Sequence, residues 1–266
     1  DTARVYGTAK QGDLSESELC IGRWLKARGG RDRIMLATKC AHPPLGNMGV
    51  SRLSAAEMEQ DLDESLRSLQ TDYIDLLWIH RDDPRLPVSG ILDTLNRFVR
   101  QGKIRAFGAS NWRGARLREA DRYAAATGQL TFCASQIKWS AAVSRPGYAD
   151  DPTLVEMDAA EFSYYQETGR AVFAFASQAK GFFQKLHTGK EAALSAKSRD
   201  RYLSEQNVSA LRLLEQAADA ASITLSAAVT AALTSNPFFP TCAIVGCTNP
   251  AQLADTMTGA DAALPP

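Results

Sequence analysis

The sequence predicts an α/β fold of the (β/α)8 barrel type, and three observations carry that prediction. Six short apolar runs recur along 266 residues, separated by stretches with helical periodicity. Each run is continuous rather than alternating, as expected of a parallel strand buried on both faces. Polar residues able to do chemistry, Lys39 and His80 first among them, stand where such runs end; in barrels of this kind the reactive groups sit at the carboxyl ends of the strands. The length suits a single domain over residues 1–266, since such barrels run to about 250 residues as one unit.

The elements follow in order. Ser15 to Arg28 reads as a helix, with Ser15 as cap, Glu18 completing a capping box and Gly29-Gly30 ending it. A strand over Ile34 to Lys39 comes next, then a polar loop from His42 to Leu53. Ser54 and Glu57 box a second helix, whose face is marked by Met58, Leu62, Ser65, Leu66 and Leu69. Strand Tyr73 to His80 precedes a helix from about Val88 to Gln101, closed by Gly102. The unit repeats with strand Ile104 to Ser110, helix Arg113 to Thr127 closed by Gly128, and strand Phe132 to Lys138. A loop around Arg145-Pro146-Gly147 leads to helix Glu156 to Thr168, Gly169 and strand Ala171 to Ala176.

Ser177 to Arg201 is polar and basic and is expected to make a long excursion over the barrel mouth. Helices over Glu205 to Ala221 and Leu225 to Ser235 follow; Pro237 and Pro240 break the chain before a strand Cys242 to Val245 and a helix from Pro250. Six strands are two fewer than a closed barrel needs. The expectation is that Asp1 ends a second strand, so that the first strand, first helix and most of the second strand are lacking and sheet edges stand open.

Thirty basic residues balance thirty acidic ones, and no basic stretch offers a footprint for nucleic acid or an anionic membrane surface. The expected partner is a small molecule. No apolar run approaches the roughly 20 residues of a membrane span, and the start lacks a signal-peptide layout, so a cytoplasmic protein is expected. Five scattered cysteines without C-x-x-C spacing read as buried or reduced thiols. With only His42, His80 and His187 as imidazoles, no metal site is expected. The sequence leaves the oligomeric state open.

Asp1, Tyr6, Lys39 and His80 supply an acid, a phenol, an amine and an imidazole, the groups needed to hand a proton to a carbonyl oxygen while a hydride arrives. They belong to a longer series of segments: DTARVYG at the start, ATK ending at Lys39, DLLWIH ending at His80, GKIRAFGASNW from Gly102 to Trp112, SQIKW around Gln136, AFASQAKG from Ala174 to Gly181 and IVGCTNPAQLADT from Ile244 to Thr256. In this order and spacing the chain resembles the aldo-keto reductases, barrel oxidoreductases that use a nicotinamide cofactor.

The resemblance implies reduction of an aldehyde or ketone to an alcohol by hydride transfer. Tyr6 would be the proton donor, Lys39 would lower its pKa from about 10, Asp1 would hold Lys39 charged, and His80 would orient the substrate carbonyl. Ser110, Asn111 and Gln136 would bind the nicotinamide carboxamide, with Phe175 stacked on its ring. Ala176, Gln178 and Lys180 would line the cofactor beyond it, as would Gly246 and Thr248, and Gln252 and Asp255 would meet the adenosine. Trp112 and Trp139 would line the substrate pocket, with Trp78 as a further candidate.

The cofactor implied is NADP(H), with NAD(H) as the alternative. The chain departs from the family pattern in having Ser177 where Pro is common, Ile244-Val245-Gly246 where IPG is usual, and no Lys or Arg after Arg212. Thr248 and Asn249, or Lys180 and Arg199, would then meet a 2′-phosphate. Two other readings stay open: a nicotinamide-binding regulatory or accessory subunit with little turnover, and an inactive fragment of a reductase.

Overall fold

Ser15 starts the first helix as its sequence predicts: its Oγ accepts from Glu18 N at 3.2 Å, and α1 runs over Glu16–Arg28. The carboxyl of Glu18 serves another purpose, because Oε1 accepts from Thr38 Oγ1 at 2.5 Å and so ties the helix to the first strand. The computed structural model describes residues 1–8, 13–148 and 151–264. They divide into two compact units, Asp1–Gln136 and Ile137–Pro266.

The first unit alternates strands and helices. After α1 come β1 (Ala37–Cys40), α2 (Ala55–Leu69), β2 (Ile74–Ile79), α3 (Val88–Arg100), β3 (Ile104–Ser110), α4 (Gly114–Thr127) and the start of β4 (Ala134–Lys138). Consecutive strands pair in parallel, with Lys39 opposite Trp78, Trp78 opposite Gly108, and Ser110 opposite Gln136. That register brings the carboxyl ends of β1 to β4 to one edge. Before β1, Thr2 N donates to Ala37 O at 2.9 Å and Arg4 N to Lys39 O at 3.0 Å, so residues 2–4 bond beside β1 as a parallel strand does.

Two glycines show how closely this unit packs. A Cβ on Gly108 would stand 2.3 Å from the Trp78 ring, and one on Gly22 would stand 2.2 Å from Ser68 O, where α1 meets α2 backbone to backbone. Trp78 is fully buried over Gly108, which makes it core rather than pocket wall. Met58, Leu62, Leu69, Leu92, Leu95 and Phe98 are likewise buried, each contributing about 1.5–3 kcal/mol.

β1 begins three residues after the expected Ile34. Leu36 N is drawn instead to Asp75 Oδ2 at 2.9 Å, Arg31 pairs with that same carboxylate at 2.8 Å, and Met35 turns out to solvent.

The second unit holds the end of β4, then α5 (Ala159–Thr168), β5 (Ala171–Phe175), α6 (Phe182–His187), α7 (Ala196–Tyr202), α8 (Glu205–Ala221), α9 (Leu225–Thr234), β6 (Thr241–Ala243) and α10 (Pro250–Met257). β5 and β6 pair in parallel, Val172 opposite Thr241. α5 starts later than the expected Glu156 because Asp158 takes the cap, with Oδ1 accepting from Glu161 N at 2.9 Å. Glu156 is held back by a bridge to Lys138, whose Nζ lies 2.5 Å from Glu156 Oε1.

The stretch expected as a polar excursion is largely helical. Phe182, Phe183, Leu194 and Tyr202 are buried with Leu211, Leu214 and Val229 of α8 and α9, while Lys180, Lys190, Lys197 and Arg199 stay exposed.

Parallel strands joined by helices make up both units, consistent with the (β/α)8 class. Among the described residues no single helix is long and apolar enough to cross a membrane.

Candidate active site

The first unit assembles Asp1, Tyr6, Lys39 and His80 at its strand ends. Lys39, near the end of β1, is buried to 1 % exposure; its Nζ donates to Asp1 Oδ2 at 2.5 Å and to Thr2 O at 2.9 Å. Tyr6 follows the strand-like residues 2–4 in a turn closed by Tyr6 N to Ala3 O at 3.0 Å. Ser15 Oγ, 2.7 Å from Tyr6 O and 2.9 Å from Ala3 O, fastens that turn to the start of α1. The Lys39 ammonium lies 5.1 Å from the Tyr6 ring centre, and the His80 ring meets Tyr6 edge-on at 5.9 Å. His80 N donates to Cys40 O at 3.0 Å, which sets the height of its imidazole against β1.

The charges in this cluster are strongly perturbed. Burial brings Lys39 down to about 7, helped by the positive charge of Arg81. A carboxylate at 2.5 Å opposes that shift by favouring the ammonium.

Burial also pushes the Tyr6 phenol above its ordinary value, against the pull of Arg81, although 42 % of the residue is exposed. The expectation that Lys39 leaves Tyr6 with a lowered pKa is therefore corrected: the ammonium sits over the ring, and desolvation of the phenolate dominates. His80 is held well below the usual imidazole range by burial, then by Arg81, His42 and Lys39, and is neutral at pH 7.

The residues expected to meet a carboxamide lie beside this group. Ser110 ends β3 and Gln136 lies in β4; both are buried. Asn111 takes a left-handed backbone (φ 60°), sends its N to Gln136 O at 2.9 Å and its Nδ2 to Ser110 Oγ at 3.0 Å and His80 O at 3.3 Å. Gln136 Nε2 donates to Asp1 Oδ1 at 3.3 Å, so one carboxylate joins Lys39 to the amide set. Trp112 packs instead in the core, fully buried, 4.8 Å edge-on from Phe132 and with Arg116 over its ring.

Two residues were missed in the sequence reading. Arg81 NH1 donates to His80 O at 2.8 Å, and its charge reaches Tyr6, Lys39 and His80. His42 packs edge-on against His80 at 4.6 Å. The signal for both was position: each lies within three residues of a chemical group at a strand end.

The second unit carries the remaining expected residues. Phe175 ends β5 half-buried, and its carbonyl accepts from Trp139 N at 3.2 Å. The Trp139 ring lies 5.8 Å from Phe239 and 6.3 Å from Phe162. Beyond Phe175, Ala176, Ala179 and Lys180 all take positive φ (54°, 47° and 58°), a tight loop fixed by Ser177 Oγ donating to Ile244 O at 2.6 Å. Ser177, at the family's Pro position, thus ties the loop to the end of β6.

Gln178 Nε2 donates to Thr256 Oγ1 at 3.0 Å, and Lys180 is exposed. Gly246 and Thr248 are exposed ahead of α10, where Asn249 caps with Oδ1 accepting from Gln252 N at 2.9 Å. Thr248 N and Oγ1 donate to Gln252 Oε1 at 2.9 and 2.8 Å, and Asp255 lies half-exposed further along the helix. Arg199 NH2 donates to Glu191 O at 3.3 Å.

Comparison with known proteins gives a consistent result. The model of the "Aldo/keto reductase family" matches residues 1–265. Aldo-keto reductase YhdN of Bacillus subtilis is 37% identical over 112 residues, 42% of this chain and 32% of that protein. Norsolorinic acid reductase B of Aspergillus parasiticus is 33% identical over 148 residues, 53% of this chain and 37% of that protein. Aldo-keto reductase yakc [NADP(+)] of Schizosaccharomyces pombe is 35% identical over 123 residues, 45% of this chain and 34% of that protein. The chain thus spans about a third of the length of each of these curated relatives.

Proposed function

This chain belongs to the aldo/keto reductase family, and from that membership we propose that it reduces an aldehyde or ketone to an alcohol with a nicotinamide cofactor, Tyr6 giving the proton. The observation that carries the reading is the convergence of Tyr6, Lys39, Asp1 and His80 in one unit, with Lys39 Nζ over the Tyr6 ring and the His80 ring against its edge. The bound cofactor supplies the hydride that becomes the new C–H bond. The chain's own groups manage the oxygen.

His80, neutral and buried, can donate a hydrogen bond to the carbonyl oxygen and hold it toward Tyr6. The raised phenol keeps its proton until the oxygen gains charge, then transfers it from Oη. Lys39, charged below about pH 7, stabilises the resulting phenolate, and Asp1 keeps the ammonium in place. In the reverse direction the phenolate takes the alcohol proton as the hydride leaves the carbon.

The residues present suit a nicotinamide cofactor. Asn111 and Gln136 supply side-chain amides able to pair with a carboxamide, and Ser110 a hydroxyl. Phe175 offers a half-exposed ring for stacking. The start of α10 would meet phosphate from Gly246 and the Asn249 cap, with Thr248 N–H already donating to Gln252 Oε1, and Gln252 and Asp255 follow on the same helix. The S. pombe relative named for NADP(+) supports NADP(H) as the cofactor here.

Fluorescence titration with NADPH and NADH, followed by turnover of a panel of aldehydes and ketones, tests the proposal. Saturable NADPH binding with carbonyl-dependent NADPH oxidation is expected; binding of neither nucleotide by the full-length protein would overturn it.

A further inference from the structure

We propose that His42 is a positioning residue for His80: its imidazole packs edge-on against the His80 ring and, with Tyr6 on the other contact, fixes the direction in which His80 offers its hydrogen bond. The proposal rests on the role given to His80 above. The two ring contacts are at 4.6 Å and 72° for His42 and at 5.9 Å and 78° for Tyr6, so His80 has an aromatic edge from each. A functional histidine is commonly oriented by a hydrogen bond to its second ring nitrogen. Nδ1 of His80 is buried and has no hydrogen-bond partner among the described residues. Packing is left to orient the ring.

The backbone leading to His42 is built to make that contact. Two residues beyond Lys39, Ala41 adopts a left-handed conformation (φ 60°), which a side chain with a Cβ takes up only when its surroundings enforce it. Here the enforcement is visible. Ala41 N donates to Asp61 Oδ2 at 2.8 Å, and Asp61, buried in α2, is gripped by Arg52 through NH1 at 3.0 Å and NH2 at 2.9 Å. This two-pronged ion pair turns the chain sharply at the end of β1. After the turn, His42 Nδ1 lies 2.7 Å from Pro43 O, which sets the ring plane. His42 thus follows a turn held by a clamp that lies outside the reacting groups.

The test uses His42→Phe, which keeps a flat ring, and His42→Ala, which removes it, together with Asp61→Asn, which weakens the clamp without touching either imidazole. Two readouts are taken on the full-length protein: the order of the His80 ring, from carbon-13 relaxation of its labelled imidazole, and the kcat, KM and NADPH affinity of carbonyl reduction. His42→Ala is expected to loosen the His80 ring and lower kcat by up to about 100-fold, the scale of a small misplacement of a reacting group, with NADPH affinity unchanged. His42→Phe should preserve ring order and most of kcat, and Asp61→Asn should loosen the ring in the same direction as His42→Ala.

Unchanged His80 order in His42→Ala would overturn the proposal. So would a His42→Phe variant as impaired as His42→Ala, because the imidazole would then be doing chemistry of its own. Loosening of His80 in a protein that reduces no carbonyl would support the positioning role while sinking the proposed activity, so the two failures are told apart.

Discussion

Lys39 Nζ stands 2.5 Å from Asp1 Oδ2, and of the two partners only the ammonium is buried. Burial and the charge of Arg81 bring Lys39 to about 7. Below that value Lys39 carries the charge that stabilises a Tyr6 phenolate, and above it the charge is lost. kcat/KM for reduction should therefore fall as pH rises through about 7. Lys39→Met should remove this break and lower the rate roughly 100-fold, within the range of acid–base effects. A pH–rate profile of the two proteins checks it, and an unaltered profile in the variant would count against Lys39.

Thr248 lies exposed just ahead of α10, its hydroxyl turned to Gln252 Oε1 at 2.8 Å. No Lys or Arg follows Arg212 in the chain. Thr248→Arg should bring a guanidinium to the start of this helix and raise the preference for NADPH over NADH about tenfold, the size of one charge-assisted hydrogen bond. The ratio of the two dissociation constants measures it; an unchanged ratio would place the 2′-phosphate elsewhere.

Asp75 anchors the amino ends of the strands. Burial works to raise its pKa, but the Leu36 amide and the Arg31 and Arg105 guanidiniums outweigh it and leave the carboxyl below its ordinary value. A depressed carboxylate stabilises the fold above its unfolded pKa of about 3.9, and that stability is lost as pH falls through the lower folded value. Asp75→Asn should cost roughly 3 kcal/mol at neutral pH and flatten the acid limb of the stability curve. Urea unfolding at a series of pH values reads both effects.

Gly22 holds α1 against α2 where a Cβ would overlap Ser68 O at 2.2 Å. Gly22→Ala should destabilise the protein by about 1–3 kcal/mol, the usual result of overfilling a packed contact, despite alanine's better helix propensity. A midpoint equal to or above the parent's in chemical denaturation would show that the helices separate at little cost.

Much of this was legible in the sequence because local chemistry dictates it. Ser15, Ser54 and the terminating glycines announce helix ends, and continuous apolar runs announce parallel strands ending at Lys39, His80 and Ser110. What stayed hidden depends on partners far along the chain. Ile34 to Leu36 read as strand until Asp75 captured the Leu36 amide. Glu156 read as helix until Lys138 held it. The basic stretch after Ser177 concealed Phe182, Phe183 and Tyr202, whose burial comes from α8 and α9 rather than from any local pattern. In the site, Trp112 matched a pocket motif yet lies in the core, and nothing around His42 in sequence reveals that a clamp from α2 turns it toward His80.

The most direct measurement of the central claim is NADPH oxidation by an aldehyde under single-turnover conditions, for the parent protein and Tyr6→Phe, with NADPH affinity determined for both. The account predicts a parent that reduces the aldehyde and a variant slowed by about 100-fold or more, with cofactor affinity unchanged. A Tyr6→Phe protein that reduces the aldehyde as fast as the parent would show that the proton comes from another group and would contradict the account.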